Sequence, residues 1–231
     1  MLPVRRVSRR SNVSARCARC HVHASLCICA LIPRLETRTR LVLFIHRYED
    51  RKPTNTGRLA AECLVNSEVL VRGHASAPTP RFVPAPGSQP LFLFPIDGAT
   101  PLTEYVGSLR PVTLIVPDGT WRQAAKVRNR VAGLVDVPCV SLPRGECSRY
   151  RLRHEAHVGA LATMEAIARA MGVLEGSHIQ EAIERVFQAM VDRSLWSRGE
   201  IGTADVSCGI PAGVSRHDPR SGDGCRKPAW S

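Results

Sequence analysis

Val112-Thr113-Leu114-Ile115-Val116-Pro117-Asp118-Gly119-Thr120-Trp121 is the stretch that decides the fold. Residues 112–116 form a near-continuous apolar run rich in β-branched side chains. That is the pattern of a strand buried on both faces, not of a half-solvated one. The run passes into a carboxylate, a permissive glycine and an aromatic, and then into a helical pattern over 122–131. Strand, polar turn and helix make up the repeating unit of a parallel α/β sheet. In open sheets of this kind ligands bind beyond the carboxyl ends of the strands.

The same alternation extends in both directions. Leu41–Ile45 is a second buried run, Val69–Val71 a short strand, Leu91–Phe94 and Val137–Leu142 two more. A helical pattern opens at Thr54-Asn-Thr-Gly57 and runs to Asn66, with Leu59, Ala60, Cys63 and Leu64 on one face. Residues 73–90 hold five prolines and two glycines and predict an irregular connection. Two helices are predicted over 161–174 and 178–195. From Ser197 onward Gly, Ser and Pro rise and periodicity is lost, which predicts a disordered tail over 198–231.

The chain has 231 residues and a net charge of +12. Residues 1–40 carry nine Arg against one Glu, a local +8; residues 199–231 are neutral, which leaves +4 for the middle. The longest apolar run, Leu26–Ile32, is seven residues, far below the roughly 20 that span a bilayer. No membrane association is expected. Met1–Arg19 is Arg/Ser-rich and acid-free, as a mitochondrial presequence would be, but it has cysteines where such a segment would be cleaved. A basic flank for nucleic acid is the preferred reading, in a cytoplasmic protein.

Four of the nine cysteines lie within thirteen residues: Cys17-Ala-Arg-Cys20, then Cys27-Ile-Cys29. A CxxC turn presents two thiolates to one ion, and a second close pair completes a tetrahedral set, so Cys17, Cys20, Cys27 and Cys29 are candidate structural-zinc ligands. An iron–sulfur cluster and free or redox thiols are the alternatives, and His21 or His23 can replace one ligand.

Candidate ligand-binding loops follow three strands. They are His46-Arg-Tyr-Glu49 leading to Thr54, Asn55 and Thr56; Pro95-Ile-Asp97-Gly98; and Pro117-Asp118-Gly119-Thr120-Trp121. Each has a structural alternative. Asp118 or Thr120 can N-cap the following helix, the Thr54–Gly57 stretch can do the same, and His46 can simply pack. Arg151 and Arg153 fall on one face of an extended segment, which suits phosphate but also suits solvent.

Together these residues resemble the DTW-domain family of tRNA-uridine aminocarboxypropyltransferases. The resemblance rests on the cysteine cluster, His46…Glu49…Lys52-Pro-Thr-Asn-Thr-Gly-Arg-Leu-Ala60, Leu93-Phe-Pro95, Val116-Pro-Asp-Gly-Thr-Trp-Arg-Gln-Ala124, Tyr150-Arg-Leu-Arg153 and Leu161-Ala-Thr-Met-Glu-Ala-Ile-Ala168. It covers about residues 15–195. The naming D-x-T-W motif is Asp118, Thr120 and Trp121. Two positions depart from the pattern: Arg47 follows His46 where Pro is expected, and His23 stands in the knuckle where Pro is usual.

The resemblance implies a SPOUT-like α/β fold that can be knotted, a mainly parallel sheet flanked by helices, and an N-terminal zinc knuckle with four cysteine ligands. The implied organisation is a basic N-terminus (1–15), the knuckle (16–36), a catalytic domain (37–197) and the tail. The implied reaction moves the 3-amino-3-carboxypropyl group of S-adenosylmethionine to N3 of a tRNA uridine. Asp118, Thr120 and Trp121 are the expected catalytic residues. Pro95, Asp97, Pro117, Gly119, Thr163 and Glu165 are expected to bind the donor. His46, Glu49, Thr54, Asn55, Thr56, Arg151 and Arg153 are expected to bind substrate, with Arg151 and Arg153 on a tRNA phosphate or on the donor's carboxylate; tRNA is the partner implied, and no obligate protein partner is implied. A SPOUT-type RNA methyltransferase and a non-catalytic zinc-knuckle RNA-binding module are the competing readings.

Overall fold

A computed structural model describes residues 15–74, 78–152 and 160–216. The chain divides into two compact units. Among the described residues, one comprises 32–74, 78–149 and 160–187; the other comprises 15–31, 150–152 and 188–216.

The first unit is built on a six-stranded sheet among the described residues. Its strands are β1 (Arg40–His46), β2 (Ser67–Arg72), β3 (Gln89–Leu93), β4 (Thr100–Pro101), β5 (Val112–Asp118) and β6 (Cys139–Ser141), in the order β2-β1-β5-β3-β6-β4. Every adjacent pair is parallel. The buried runs read from sequence occupy the centre. Leu41 to Ile45 and Val112 to Asp118 are buried throughout, because neighbours cover both faces of β1 and β5. The short edge strand β4 was not legible: it is two residues long and ends on a proline, which an edge tolerates because no ladder N–H is needed there.

Alternation sorts the side chains between the faces. Val42, Phe44, Phe92 and Ile115 pack against Phe82, Val127, Val131 and Leu134 on one face. On the other, α2 (Gly57–Glu62) contacts β1 and α5 (Thr163–Glu175) contacts β5. The single helix predicted over 122–131 is two short ones, α3 (Trp121–Ala124) and α4 (Val127–Arg130). A four-residue helix, α1 (Arg47–Asp50), follows β1. Thr39 N–H donates to Glu175 at 2.7 Å, tying the entry of β1 to the end of α5.

The second unit holds the cysteine turn, the C-terminal part of α6 (Ser177–Ser197) and the turns after it. Residues 198–216, which composition assigns to a tail, are bonded to α6. Trp196 Nε1 donates to Thr203 at 3.0 Å, and Ser207 N–H donates to Asp192 at 2.9 Å. Residues 217–231 and 1–14 lie outside the described residues. Among the described residues no helix is long and apolar enough to cross a membrane.

Candidate active site and metal centre

The chain leaves β1 toward β2 on one side of the sheet and leaves β5 toward β6 on the other. The carboxyl ends of β1 and β5 therefore flank a topological switch point. Asp118 is the last residue of β5 and pairs in register with Ile45. It is 5 % exposed. Asn55 Nδ2 donates to its Oδ2 at 2.6 Å, and Thr163 Oγ1 donates to its Oδ1 at 2.7 Å. A buried carboxylate needs such donors on its oxygens. Asn55 is itself held because its Oδ1 accepts the Arg58 N–H at 3.0 Å, at the start of α2. Thr56 accepts the Met164 N–H at 3.3 Å and so links the starts of α2 and α5.

A cavity of about 490 Å³ opens at the strand ends, lined among others by Pro95, Pro117, Gly119, Trp121, Thr163 and Arg169. Thr163 reaches both the cavity and Asp118, whereas Asp118 lies behind this wall and does not line it. Trp121 is 41 % exposed, with its ring tilted 55° against Phe94 at 5.6 Å between centroids. A partly exposed indole at the cavity wall can serve as a stacking surface.

The other expected residues separate. Thr120 closes a capping box on α3: Gln123 N–H donates to its Oγ1 at 3.3 Å, and its own N–H donates to Gln123 Oε1 at 2.9 Å. Glu165 is buried and accepts from Ser148 (2.6 Å), the Arg149 N–H (2.7 Å) and the Ala162 N–H (2.8 Å), which fastens the loop after β6 to α5. Asp97 is exposed and is not part of the cavity wall. His46 N-caps α1 by accepting the Tyr48 N–H at 3.3 Å. Burial, then the charges of Arg72 and Arg47, hold its ring below the usual histidine range, with Glu49 opposing. Glu49 is buried against Lys52, and Thr54 is half-buried. Arg151 is exposed, and Arg153 lies outside the described residues.

Sequence reading missed the loop Arg144–Cys147 and Arg169 as cavity wall. No motif marks them. The Arg169 guanidinium donates to the Glu146 carbonyl at 2.6 Å, a contact between segments 23 residues apart.

In the second unit the four cysteine sulfurs lie within 4.8 Å of one another, with Cys17–Cys29 at 3.4 Å and Cys20–Cys27 at 3.8 Å. Zn–S bonds of about 2.3 Å in a tetrahedron put sulfurs about 3.8 Å apart. The set thus fits one ion, and it is too tight to surround a cluster of several irons. His21 sits in the left-handed region (φ 59°), which turns the chain after CxxC. Its N–H donates to the Cys17 carbonyl at 3.0 Å. His23 bonds Ser25 at 2.8 Å. The Cys17 thiol is drawn down to about 6, chiefly by the Cys20 backbone N–H, while burial first pushes Cys20 and Cys29 up. Arg193 was also missed. It is 5 % exposed and donates to the carbonyls of Cys27 (2.6 Å), Leu26 (3.3 Å), Gly209 (3.0 Å) and Cys208 (3.4 Å). It brings a positive charge to the thiols and crosslinks their loop.

Residues 14–195 match the family described as the DTW domain. The mouse protein tRNA-uridine aminocarboxypropyltransferase 2 is 30 % identical over 209 residues, which is 87 % of this chain and 69 % of that one. The Arabidopsis thaliana protein tRNA-uridine aminocarboxypropyltransferase A is 29 % identical over 211 residues, 76 % of this chain and 79 % of that one. The Drosophila melanogaster protein tRNA-uridine aminocarboxypropyltransferase 2 is 28 % identical over 173 residues, 71 % of this chain and 68 % of that one. No solved structure matches.

Proposed function

Because the chain belongs to the DTW-domain family, we propose that it is a tRNA-modifying transferase. In this reading it moves the 3-amino-3-carboxypropyl group of S-adenosylmethionine to N3 of a tRNA uridine, forming acp3U and releasing methylthioadenosine. The observation that carries this is Asp118, buried at the switch point and bonded to a threonine that lines the strand-end cavity.

The reaction forms the N3–Cγ bond and breaks the Cγ–S bond. The sulfonium already leaves readily, so the protein's task is alignment and removal of the N3 proton. A buried Asp118 reaches that proton through Thr163. The Thr163 oxygen accepts from N3 as its own proton passes to Asp118 Oδ1. Asn55 holds the other carboxylate oxygen. Trp121 offers its face to an adenine or a uracil, and Pro95, Pro117 and Gly119 shape the wall beside it. The uridine must be unstacked to expose N3, which favours a loop nucleotide.

Asp97 and Glu165 are kept as donor-binding proposals. Thr54, Arg151 and Arg153 are kept for tRNA. Cys17, Cys20, Cys27 and Cys29 are proposed to hold structural zinc, which supplies a crosslink and no chemistry at the cavity. A SPOUT-like fold and a cytoplasmic location belong to the same reading, supported by the all-parallel sheet and by four thiols kept reduced for metal.

The test is mass spectrometry of tRNA and small products after incubation with S-adenosylmethionine. The expected products are acp3U and methylthioadenosine. Methylated RNA with S-adenosylhomocysteine would assign the chain to methyl transfer instead. Asp118→Asn is expected to lower kcat about 10²-fold or more while donor binding persists. Near-normal turnover in that variant overturns the proton route.

A further inference from the structure

The first unit has a cationic corner outside the cavity, at the carboxyl ends of β1 and β2. His46 and Arg72 are register partners there, and Arg47 follows His46 directly. Arg72 is 6 % exposed, and no carboxylate pairs with it among the described residues. Its Nη2 donates to the Gln123 carbonyl at 2.8 Å, but its Nε is buried with no hydrogen-bond partner. The same is true of the Arg47 Nε. Each is a buried guanidinium N–H without an acceptor, which is costly to keep. Neighbouring charge makes this worse, since Arg130 acts on Arg72 and both Arg47 and Arg72 act on His46.

Tyr48 completes the corner. It is 56 % exposed, it lies against the Arg47 guanidinium at 4.6 Å, and its ring is 5.3 Å from that of His46. Gly73 (φ 85°) lets the chain turn away here, and a Cβ on it would lie 2.9 Å from His46 Nε2. An exposed aromatic backed by cations suits a nucleic-acid strand better than a free anion. The cations meet a phosphate and the ring meets a base.

We propose that Arg47, Arg72 and Arg130 bind a backbone phosphate of the RNA substrate while Tyr48 stacks on an unpaired base beside it. The site lies on the first unit. The identity of the RNA as tRNA rests on the function proposed above.

The experiment measures binding of a tRNA transcript to the full chain by fluorescence anisotropy across a salt series, with donor affinity measured by calorimetry and acp3U by mass spectrometry. Arg72→Gln and Arg130→Ala are expected to weaken binding several-fold and to flatten the slope of log affinity against log salt, the double variant by about 0.7–0.9 for the one phosphate lost. Tyr48→Ala is expected to weaken binding about fivefold or more with the slope unchanged, since stacking releases no counterions. If Arg72→Gln does not fold, the exposed Arg130 and Tyr48 carry the test. Wild-type slopes in the arginine variants overturn the proposal. So does loss of donor affinity in Arg72→Gln with tRNA binding intact, which would make the corner a donor-carboxylate site. If wild-type protein forms no acp3U yet the slope still falls, the function reading fails and the RNA site stands.

Discussion

Gly57 shows how closely one residue governs the chemistry. A Cβ built there would lie 2.6 Å from Asp118 Oδ2 and 3.2 Å from Leu43 Cδ2. The obstacle is space, because the neighbours are a held carboxylate and a packed core side chain. Gly57→Ala should therefore shift Asp118 off Asn55 and Thr163. Turnover is expected to fall about tenfold or more, with overpacking costing about 1–3 kcal/mol of stability. Turnover assays paired with thermal unfolding check this, and unchanged kcat would mean that the carboxylate's placement is not limiting. The glycine was visible in the sequence as part of Thr-Asn-Thr-Gly57. Its reason was not, since Asp118 is 61 residues away along the chain.

At the scale of elements, α3 is the telling case. Four residues do not hold a helix by themselves. The Thr120–Gln123 capping box supplies what propensity lacks, and Trp121 is oriented through it. Thr120→Ala is expected to cost about 1 kcal/mol and to shift the tryptophan emission, with Thr120→Ser restoring both. An unaltered spectrum in Thr120→Ala would detach Trp121 from the cap. The capping alternative was readable beside the chemical one, because both use the same residue type at a strand-to-helix turn. Only the observed bonds to Gln123 establish the cap. Why the predicted helix breaks between Ala124 and Val127 has no explanation in the structure.

At the scale of the whole molecule, each unit has a polar anchor: Glu165 in the first, which motif reading assigned to the donor, and Arg193 in the second, which it passed over. Arg193→Met leaves the carbonyls of Leu26, Cys27, Cys208 and Gly209 without its four contacts. The expected loss is about 3 kcal/mol or more, since bonds to a charged group are individually worth about 1.5–3 kcal/mol. Thermal unfolding with metal analysis checks this. Cys17→Ser should lose the zinc proposed for the four cysteines while Arg193→Met retains part of it, and equal stability of wild type and Arg193→Met would refute the anchor. The sequence by itself determined the parallel α/β class, the central strands β1 and β5, the cysteine set and the family, because periodicity, ligand spacing and motif order are local properties of the chain. Only the tertiary structure decided that Asp118 sits behind Thr163 instead of facing the cavity, that Arg72 comes into register beside His46, and that residues 198–216 bond back to α6. Those outcomes depend on contacts between residues distant in sequence, and neither composition nor periodicity encodes them.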